Sequence, residues 1–259
     1  MRIVVLLKAV PIVGTERLGD GYRVDRAAGL EANGNDEYLL EAALKLSEAH
    51  GGEVTLLTMG PAAAAEELRK GLAMGAVRAV QVSDPAIAGS CIRATSEILA
   101  AALRTLEFDL VFAGADTSDG QGSVVGAAIA ARLGLPYLSY AARIEPGEDG
   151  TSVRVHRLSP SGYDVLEAAM PAVVMGTQVL GEPRYPSLRG IMQARGKEVT
   201  VLTLADLGVD ASRVGGGAAT TRVLGTSTPP PRAGAVVVRE APDAAVARIV
   251  EFLAARRLV

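Results

Sequence analysis

A glycine-rich segment, GADTSDGQGSVVG at residues 114–126, has the clearest potential for ligand chemistry. Its glycines allow the backbone to approach a ligand closely, and a predicted helix begins near Ser123, where free amide groups favour a phosphate. The pattern G-x-G-x-x-x-G narrowly misses the dinucleotide fingerprint, and no P-loop lysine follows its glycines. The segment therefore predicts a mononucleotide site rather than a site for NAD or NTP hydrolysis. A turn that only connects a strand to a helix is the alternative.

Two other loops are predicted to lie beside this segment. The sequence NGND at residues 33–36 precedes a predicted helix, for which Asp36 can act as the N-cap, while the amides of Asn33 and Asn35 can hold a ribose or a base. The sequence TMGP at residues 58–61 ends a predicted strand. Because ligands collect at the carboxyl ends of the strands in an open α/β sheet, all three loops are expected at one ligand-binding edge.

Side chains that could serve as nucleophiles or metal ligands are sparse. His50 and His156 have no cysteine or carboxylate at ligand spacing. Asp116 and Asp119 lie in the glycine-rich segment and are most simply turn-forming residues. The single cysteine, Cys91, is expected to be a small, buried, apolar residue of a helix. We predict no catalytic residue and no metal site, so nothing requires the chain to be an enzyme.

Alternating strands and helices must position these loops. Continuous apolar runs predict buried parallel strands, and apolar residues spaced three and four apart predict helices between them. The pattern indicates an α/β fold, an open and mostly parallel twisted sheet with helices on both faces, over the first ~135 residues. The predicted strands are 3–7, 54–59, 79–82 and 109–114, and the predicted helices are 36–49, 62–74, 90–106 and 123–133.

The sequence pattern changes after Pro136. The runs at 138–144, 151–158, 163–170 and 172–177 are β-like, and the turn signals PGEDG and SPSG predict antiparallel strands that extend the same sheet. Residues 214–232 are rich in Gly, Thr and Pro and predict an extended connector. An amphipathic helix is predicted from 242 to 257. We therefore divide the chain into an α/β domain, 1–213, and an arm with a terminal helix, 214–259.

The composition narrows the classes of partner. The 259 residues are 49% hydrophobic and 21% charged, which is typical of a compact globular protein. A net charge of −3 gives no general attraction for nucleic acid or anionic lipid, so neither is predicted as a partner. Lys8 and Pro11 interrupt the apolar start well short of a membrane span, so we interpret it as the first strand. One cysteine allows no internal disulfide, which fits a cytoplasmic location.

Five segments resemble the β subunit of electron transfer flavoproteins, the FixA type, along nearly the whole chain. They are EPRYPSLRGIMQARGKEV, VTVLTLADLGVD, GPAAAAEELRKGLAMGA, NGNDEYLLEAAL and DTSDGQGSVVGAAIAARLGLP, of which PRYPSLRGIM is the specific part. The resemblance implies the adenine nucleotide alpha hydrolase-like (HUP-type) fold and a heterodimer whose α subunit holds most of the FAD. It also implies an electron carrier, not an enzyme, between acyl-CoA dehydrogenases or related flavoprotein dehydrogenases and a quinone oxidoreductase or similar acceptor.

The resemblance further implies that the chain binds one AMP. A subset of the family binds a second FAD in its place, but the segment DTSDGQGSVVG departs from the pattern of that subset, which favours AMP. The family often has an aromatic residue beside the flavin where this chain has Val13, so no aromatic flavin contact is expected. The positions that correspond to the nucleotide site are Leu6, Asn33, Gly34, Asn35, Asp36, Met59, Gly114, Asp119, Gly120, Gln121, Gly122, Ser123, Val124 and Val125.

Residues 182–199 correspond to the family's recognition loop, in which a leucine anchors partner dehydrogenases. Leu188 occupies that position, and an exposed leucine flanked by Arg184, Arg189 and Arg195 suits a transient interface. The alternative is that Leu188 and Ile191 fold back into the chain's own core. The predicted docking residues are Arg184, Tyr185, Leu188, Ile191 and Met192.

The C-terminal arm is expected to pack on the α subunit. A stand-alone adenine-nucleotide-binding protein is the alternative function, but such a protein would need neither this arm nor the basic segment at 182–199.

Overall fold

The computed structural model describes residues 1–148, 150–231 and 234–259. These residues form two compact units, Met1–Val223 and Leu224–Val259, which are described separately. Asp149 in the predicted turn PGEDG and Arg232 at the end of the predicted connector lie outside the described residues.

The first unit contains all of the strands and five of the helices found in the described residues. The strands are β1 (Arg2–Leu6), β2 (Ala9–Pro11), β3 (Leu30–Ala32), β4 (Glu53–Met59), β5 (Arg78–Val82), β6 (Leu110–Gly114), β7 (Tyr137–Pro146), β8 (Ser152–Ser159), β9 (Gly162–Ala169), β10 (Ala172–Gly176) and β11 (Val199–Leu202). The helices are α1 (Gly34–His50), α2 (Ala65–Met74), α3 (Ile92–Arg104), α4 (Val125–Leu133) and α5 (Leu188–Gly196).

Nine of the strands form one sheet in the order β11-β5-β4-β1-β6-β10-β7-β8-β9, and β2 and β3 form a separate two-stranded antiparallel ribbon. Pairing is parallel from β11 to β7 and antiparallel from β7 to β9. The predicted open, mostly parallel sheet with an antiparallel extension is therefore confirmed.

Two apolar clusters, one on each face of the sheet, follow from the alternation of side chains along each strand. In β1, Ile3 and Val5 pack with α1 and α2 on one face, whereas Val4 and Leu6 pack with α3 and α4 on the other. All four side chains are buried. Since full burial of such a side chain contributes ~1.5–3 kcal/mol, this double coverage explains why the central strands are continuous apolar runs.

The prediction that the run at 172–177 joins the antiparallel strands is wrong. β10 lies between β6 and β7 and pairs in parallel with both. All of its residues are buried, and an uninterrupted apolar run is typical of a parallel strand covered on both faces. By contrast, β9 alternates between half-buried and exposed residues, as expected for an antiparallel strand with one exposed face.

The extended connector begins later than the predicted residue 214. Val214 is buried in the cluster that also contains Ile87. The amide of Gly216 donates a hydrogen bond to the carbonyl of Ala88 at 2.9 Å. A glycine-rich composition predicted an unpacked segment, but the lack of side chains here permits close backbone packing on the sheet domain.

The second unit contains the helix α6 (Pro242–Ala255), near the predicted bounds of 242 and 257. None of its residues is buried, and its exposed apolar side chains include Val246, Ile249, Val250 and Phe252. Across the described part of the chain, no helix combines the length and the apolar character needed to cross a membrane.

Candidate nucleotide site and docking surface

The chain reverses its direction across the sheet at β1 and β6. From β1 it proceeds to β4 and β5 on one side and then returns to β6 on the other side of β1. At such a switch point the loops diverge and leave a crevice beyond the carboxyl ends of the strands. Leu6, Met59 and Gly114 end β1, β4 and β6, so the structure brings these three predicted positions to one edge.

Asp36 joins the two strands that border this crevice. Its carboxylate accepts hydrogen bonds from the amides of Lys8 at 2.8 Å and Gly114 at 3.1 Å. Burial raises the pKa of Asp36 to about 7, although these bonds and one with Asn33 act against the rise. The predicted N-cap role is wrong: Asn33 occupies the N-cap of α1, and Asp36 lies inside the helix. Asp36 instead holds the ends of β1 and β6 together.

The two asparagines of NGND hold the glycine-rich segment in place. Asn33 donates to the carbonyl of Asp116 at 2.9 Å and accepts from the amide of Ser118 at 3.2 Å. Asn35 donates to the carboxylate of Asp116 at 2.7 Å. Since Asn33 is only 2% exposed, its side chain shapes the loop from beneath. The first turn of α1 therefore determines where the glycine-rich segment lies.

Asp119 forms the charged centre of the glycine-rich segment. Its carboxylate is 2.7 Å from Nζ of Lys8 and 2.5 Å from Nη2 of Arg26, and its side chain is 2% exposed. Burial alone would raise its pKa, but the hydrogen bonds and charges of Lys8 and Arg26 outweigh burial and lower the pKa of Asp119 to about 2. Asp119 is therefore an ionised structural link rather than a simple turn former.

The turn that follows Asp119 has the backbone features of an anion site. Gln121 and Ser123 have positive φ angles of 44° and 53°, and residues 120–124 are exposed. Helix α4 begins at Val125, and no described side chain caps its N-terminus. Left-handed residues and an uncapped helix start present amide groups that suit a phosphate. Glu16, Arg17, Leu18, Val24, Ser118 and Asp119 line an adjoining cavity of about 310 Å³.

The second candidate site is a surface formed by residues 184–192. Tyr185 is 96% exposed, Leu188 82% and Met192 74%, and Ile191 is also exposed. The alternative in which Leu188 and Ile191 fold back into the core is therefore not observed. Residues 188–196 form α5 rather than a loop, because Ser187 caps the helix by accepting from the amide of Gly190 at 3.0 Å. We call Tyr185, Leu188, Ile191 and Met192 the docking surface.

Helix α5 is fixed firmly against α2. A Cβ atom added to Gly190 would lie 2.2 Å from the carbonyl oxygen of Ala73, so only glycine permits this approach. Lys197 donates to the carbonyls of Leu72 at 3.2 Å and Ala76 at 2.6 Å, near the C-terminus of α2. The exposed apolar side chains therefore project from a supported helix.

The expectation that Arg184 flanks the exposed leucine as a free charge is wrong. Its guanidinium lies 2.8 Å from Glu41 and 2.5 Å from Glu48, both on α1. Arg189 and Arg195 remain exposed. Two carboxylates neutralise Arg184, so it anchors the segment instead of attracting a partner.

Cys91 also differs from its predicted environment. It is half-buried and occupies the N-cap of α3, where its sulfur lies 3.5 Å from Oγ1 of Thr220. Burial acts to raise its pKa, but hydrogen bonds, first among them one with the amide of Ala94, lower the pKa of Cys91 to about 6. Within the described ranges, no group of three or more His, Cys, Asp or Glu side chains could hold a metal ion.

Comparison with known proteins decides the family. The family model described as "Electron transfer flavoprotein domain" matches residues 23–207. The chain is 40% identical over 266 residues to "Electron transfer flavoprotein subunit beta" of Mycobacterium leprae, with 99% of both chains covered. The chain belongs to the electron transfer flavoprotein β-subunit family. Electron transport as a subunit of a flavoprotein is therefore its function.

Other members are similar over most of the chain. "Electron transfer flavoprotein subunit beta" of Thermoanaerobacterium thermosaccharolyticum is 36% identical over 263 residues, covering 100% of both chains. "Caffeyl-CoA reductase-Etf complex subunit CarD" of Acetobacterium woodii is 36% identical over 242 residues, covering 92% of both. The resemblance seen in the sequence is confirmed.

Four charged residues of these sites were missed from the sequence. Lys8 and Arg26 neutralise Asp119, and Glu41 and Glu48 hold Arg184. One signal was available for Lys8, because it lies two residues after the end of β1, at the ligand-binding edge. The others lie far along the chain from their partners and carry no local pattern.

Proposed function

We propose that the chain is the β half of a cytoplasmic heterodimeric electron carrier. An α subunit holds most of the FAD, and this chain binds AMP in the crevice between β1 and β6. The observation that carries the nucleotide assignment is the turn at residues 120–124, whose exposed backbone leads into an uncapped helix at the switch point of the sheet. FAD supplies the redox chemistry, and AMP is structural because its adenine is not redox active.

AMP is favoured over a second FAD because the segment DTSDGQGSVVG departs from the pattern of the family members that bind a second FAD. Lys8 and Arg26 lie beside the turn and supply positive charge near the phosphate position. In this proposal, Leu6 and Met59 support the adenine through the strand ends, and residues 120–125 bind the phosphate.

Nucleotide analysis of the co-expressed heterodimer tests both cofactor assignments. We expect one FAD and one AMP per heterodimer when the purified complex is denatured and its nucleotides are separated and quantified. Two FAD per heterodimer would contradict the AMP assignment. A chain that purifies alone with ATP, and never with a flavin-bearing partner, would support the stand-alone nucleotide binder instead.

The proposed electron donors are acyl-CoA dehydrogenases and related flavoprotein dehydrogenases, and the proposed acceptor is a quinone oxidoreductase or a similar protein. The name of the Acetobacterium woodii relative assigns that subunit to a complex with a caffeyl-CoA reductase, which supports a partner of this class. The docking surface supports transient contact, since a few exposed apolar anchors can supply most of the binding energy.

Replacing Leu188 tests the docking surface. We expect Leu188→Ala to raise the KM for a purified acyl-CoA dehydrogenase roughly tenfold, because hot-spot side chains contribute on the order of 1–2 kcal/mol. FAD and AMP contents should not change, since Leu188 lies on α5 and not at the crevice. Val201→Ala, also an exposed aliphatic side chain but on the edge strand β11, is the matched control. Unchanged kinetics for Leu188→Ala would contradict this role.

A further inference from the structure

Arg184 connects the docking surface to helix α1 through hydrogen bonds from its backbone and its guanidinium. Its amide donates to Glu41 at 3.2 Å, and its side chain donates to Glu41 at 2.8 and 3.2 Å and to Glu48 at 2.5 and 3.0 Å. We infer that Arg184 is a positioning residue, which presents Tyr185 and Leu188 to the partner dehydrogenase by fixing residues 184–187 on α1. This inference rests on the docking role proposed above.

The buried carboxylate of Glu41 makes this anchor specific. Its side chain is 5% exposed, and Arg184 and Lys45 are its ion-pair partners, at 2.8 and 3.4 Å. Burial opposes ionisation of Glu41, but the hydrogen bonds from Arg184 outweigh burial and keep the pKa of Glu41 below its ordinary value. Removing one partner of a buried ion pair leaves an uncompensated charge. The segment is therefore strongly favoured in one position.

Two anchors define the conformation between them. Arg184 fixes the start of the segment, and Ser187 fixes its end by capping α5. Tyr185 lies between the anchors and projects into solvent, and Leu188 follows the second anchor directly. A docking segment held before binding loses less conformational entropy when a partner binds, which increases affinity without any new contact.

The charge of Arg184 separates positioning from electrostatic attraction. Two carboxylates already neutralise it, whereas Arg189 is exposed and makes no ion pair with any described residue. Charges that steer association change the salt dependence of binding when they are removed. Positioning by Arg184 therefore predicts that a charge-balanced replacement of Arg184 leaves the salt dependence unchanged, whereas replacement of Arg189 flattens it.

The test uses the FAD-loaded heterodimer and a purified acyl-CoA dehydrogenase that reduces it. We expect Arg184→Gln to raise the KM for the dehydrogenase about fivefold to tenfold, with kcat and FAD content unchanged. In this variant, residues 184–187 must become ordered each time the dehydrogenase binds. The dependence of KM on salt concentration should match that of wild type in Arg184→Gln combined with Glu41→Gln, which removes one positive and one negative charge together. Arg189→Gln, the matched control, should flatten the salt dependence and change KM less.

Hydrogen exchange supplies a readout that needs no partner. The amides of Gly190 and Ile191 bond to Ser187, so loss of the neighbouring anchor should accelerate their exchange in Arg184→Gln but not in Arg189→Gln.

Arg184→Lys should rescue the KM only in part, because an ammonium group cannot make the paired bonds of a guanidinium.

A second set of variants keeps the inference testable if Arg184→Gln does not fold. Glu41→Gln combined with Arg184→Gln removes the buried charge and should still raise KM. Glu48→Gln should raise KM about twofold. If Glu48 and Arg184 acted independently, the effects of Glu48→Gln and Arg184→Gln on KM would add in the double variant. Strong non-additivity supports one shared anchor.

The outcomes distinguish this inference from the docking proposal. A normal KM for Arg184→Gln beside a raised KM for Leu188→Ala would overturn the positioning role and leave docking intact. Normal values for both would overturn docking itself. A flattened salt dependence for Arg184→Gln combined with Glu41→Gln would show that the charge of Arg184 steers the partner, which also contradicts positioning.

Discussion

The Gly114→Ala variant is expected to lose its bound AMP and to unfold with a free energy about 3 kcal/mol below that of wild type. A Cβ atom on Gly114 would lie 2.2 Å from Oδ1 of Asp36, a distance that non-bonded atoms do not tolerate. Either the Asp36 carboxylate moves and releases the amide of Lys8, or the end of β6 moves and displaces the glycine-rich segment. Both responses open the crevice.

The size of this effect follows from the hydrogen bonds that Asp36 would lose. Asp36 accepts two buried amide hydrogen bonds, and leaving such a group unpaired costs ~1–3 kcal/mol. The backbone of Asn35 lies 3.1 Å from the added atom, so rotation of the carboxylate alone does not relieve the clash. The loss is therefore comparable to that of a large core truncation.

Denaturant unfolding and nucleotide analysis of the heterodimer measure the result. Gly196→Ala is the matched control, because a Cβ atom there meets nothing within 4 Å and the residue lies on α5, away from the crevice. This control should retain AMP and be no less stable than wild type, since alanine at an unstrained glycine position stabilises by ~0.4–1 kcal/mol. Normal AMP content and stability in Gly114→Ala would show that the contact between Asp36 and β6 does not maintain the site.

The regular elements could be predicted from the sequence because their signals are local. The apolar runs at 3–7 and 54–59 became β1 and β4 within one residue at either end. The direction of strand pairing was harder to predict, because β10 is separated from β9 by only two residues yet pairs in parallel with β6. A chain reversal after β9 resembles a hairpin in sequence, and only the uniform burial of β10 distinguishes it.

The side-chain partners within the sites could not be predicted. Asp36 fits an N-cap by local propensity, but burial between two strand ends gives it another role. Arg184 fits an exposed charge, yet its partners lie on α1, more than 130 residues earlier in the chain. Tertiary contacts of this kind leave no periodic signal, so the sequence predicts which loops lie together better than it predicts the bonds between them.

Helix α1 supports both sites. Its first turn carries Asp36 and the N-cap Asn33, which hold the crevice, while Glu41 and Glu48 further along the same helix hold Arg184. At 1.5 Å per residue, Asp36 and Glu48 are about 18 Å apart along the axis. One rigid element therefore supports the crevice proposed for AMP and the proposed anchor Arg184 at separate positions.

Removal of the charge on Asp119 is expected to destabilise the chain while leaving AMP bound. Asp119→Asn leaves Lys8 and Arg26 close together with no counter-charge between them. A shift of the pKa from the ordinary 3.8 to about 2 corresponds to roughly 2 kcal/mol of stability at neutral pH. AMP should remain, because the freed cations favour its phosphate.

The lowered pKa of Asp119 determines how its contribution to stability changes with pH. The pKa of Asp119 is lower in the folded chain than in the unfolded chain, so its contribution is fully present above about pH 4 and is lost as the pH falls towards 2. The difference in unfolding free energy between wild type and Asp119→Asn should therefore be largest near pH 7. It should shrink steadily below pH 4.

Urea unfolding between pH 7 and pH 3 measures this difference, with Asp20→Asn as the control for removal of an exposed carboxylate. The control should unfold like wild type at every pH, since exposed charges contribute little. A difference for Asp119→Asn that stays constant with pH would mean that the side chain acts through shape or hydrogen bonding rather than charge. Loss of AMP together with normal stability would instead mean that Asp119 contacts the nucleotide directly. The ion pairs with Lys8 and Arg26 would then serve to orient the Asp119 carboxylate.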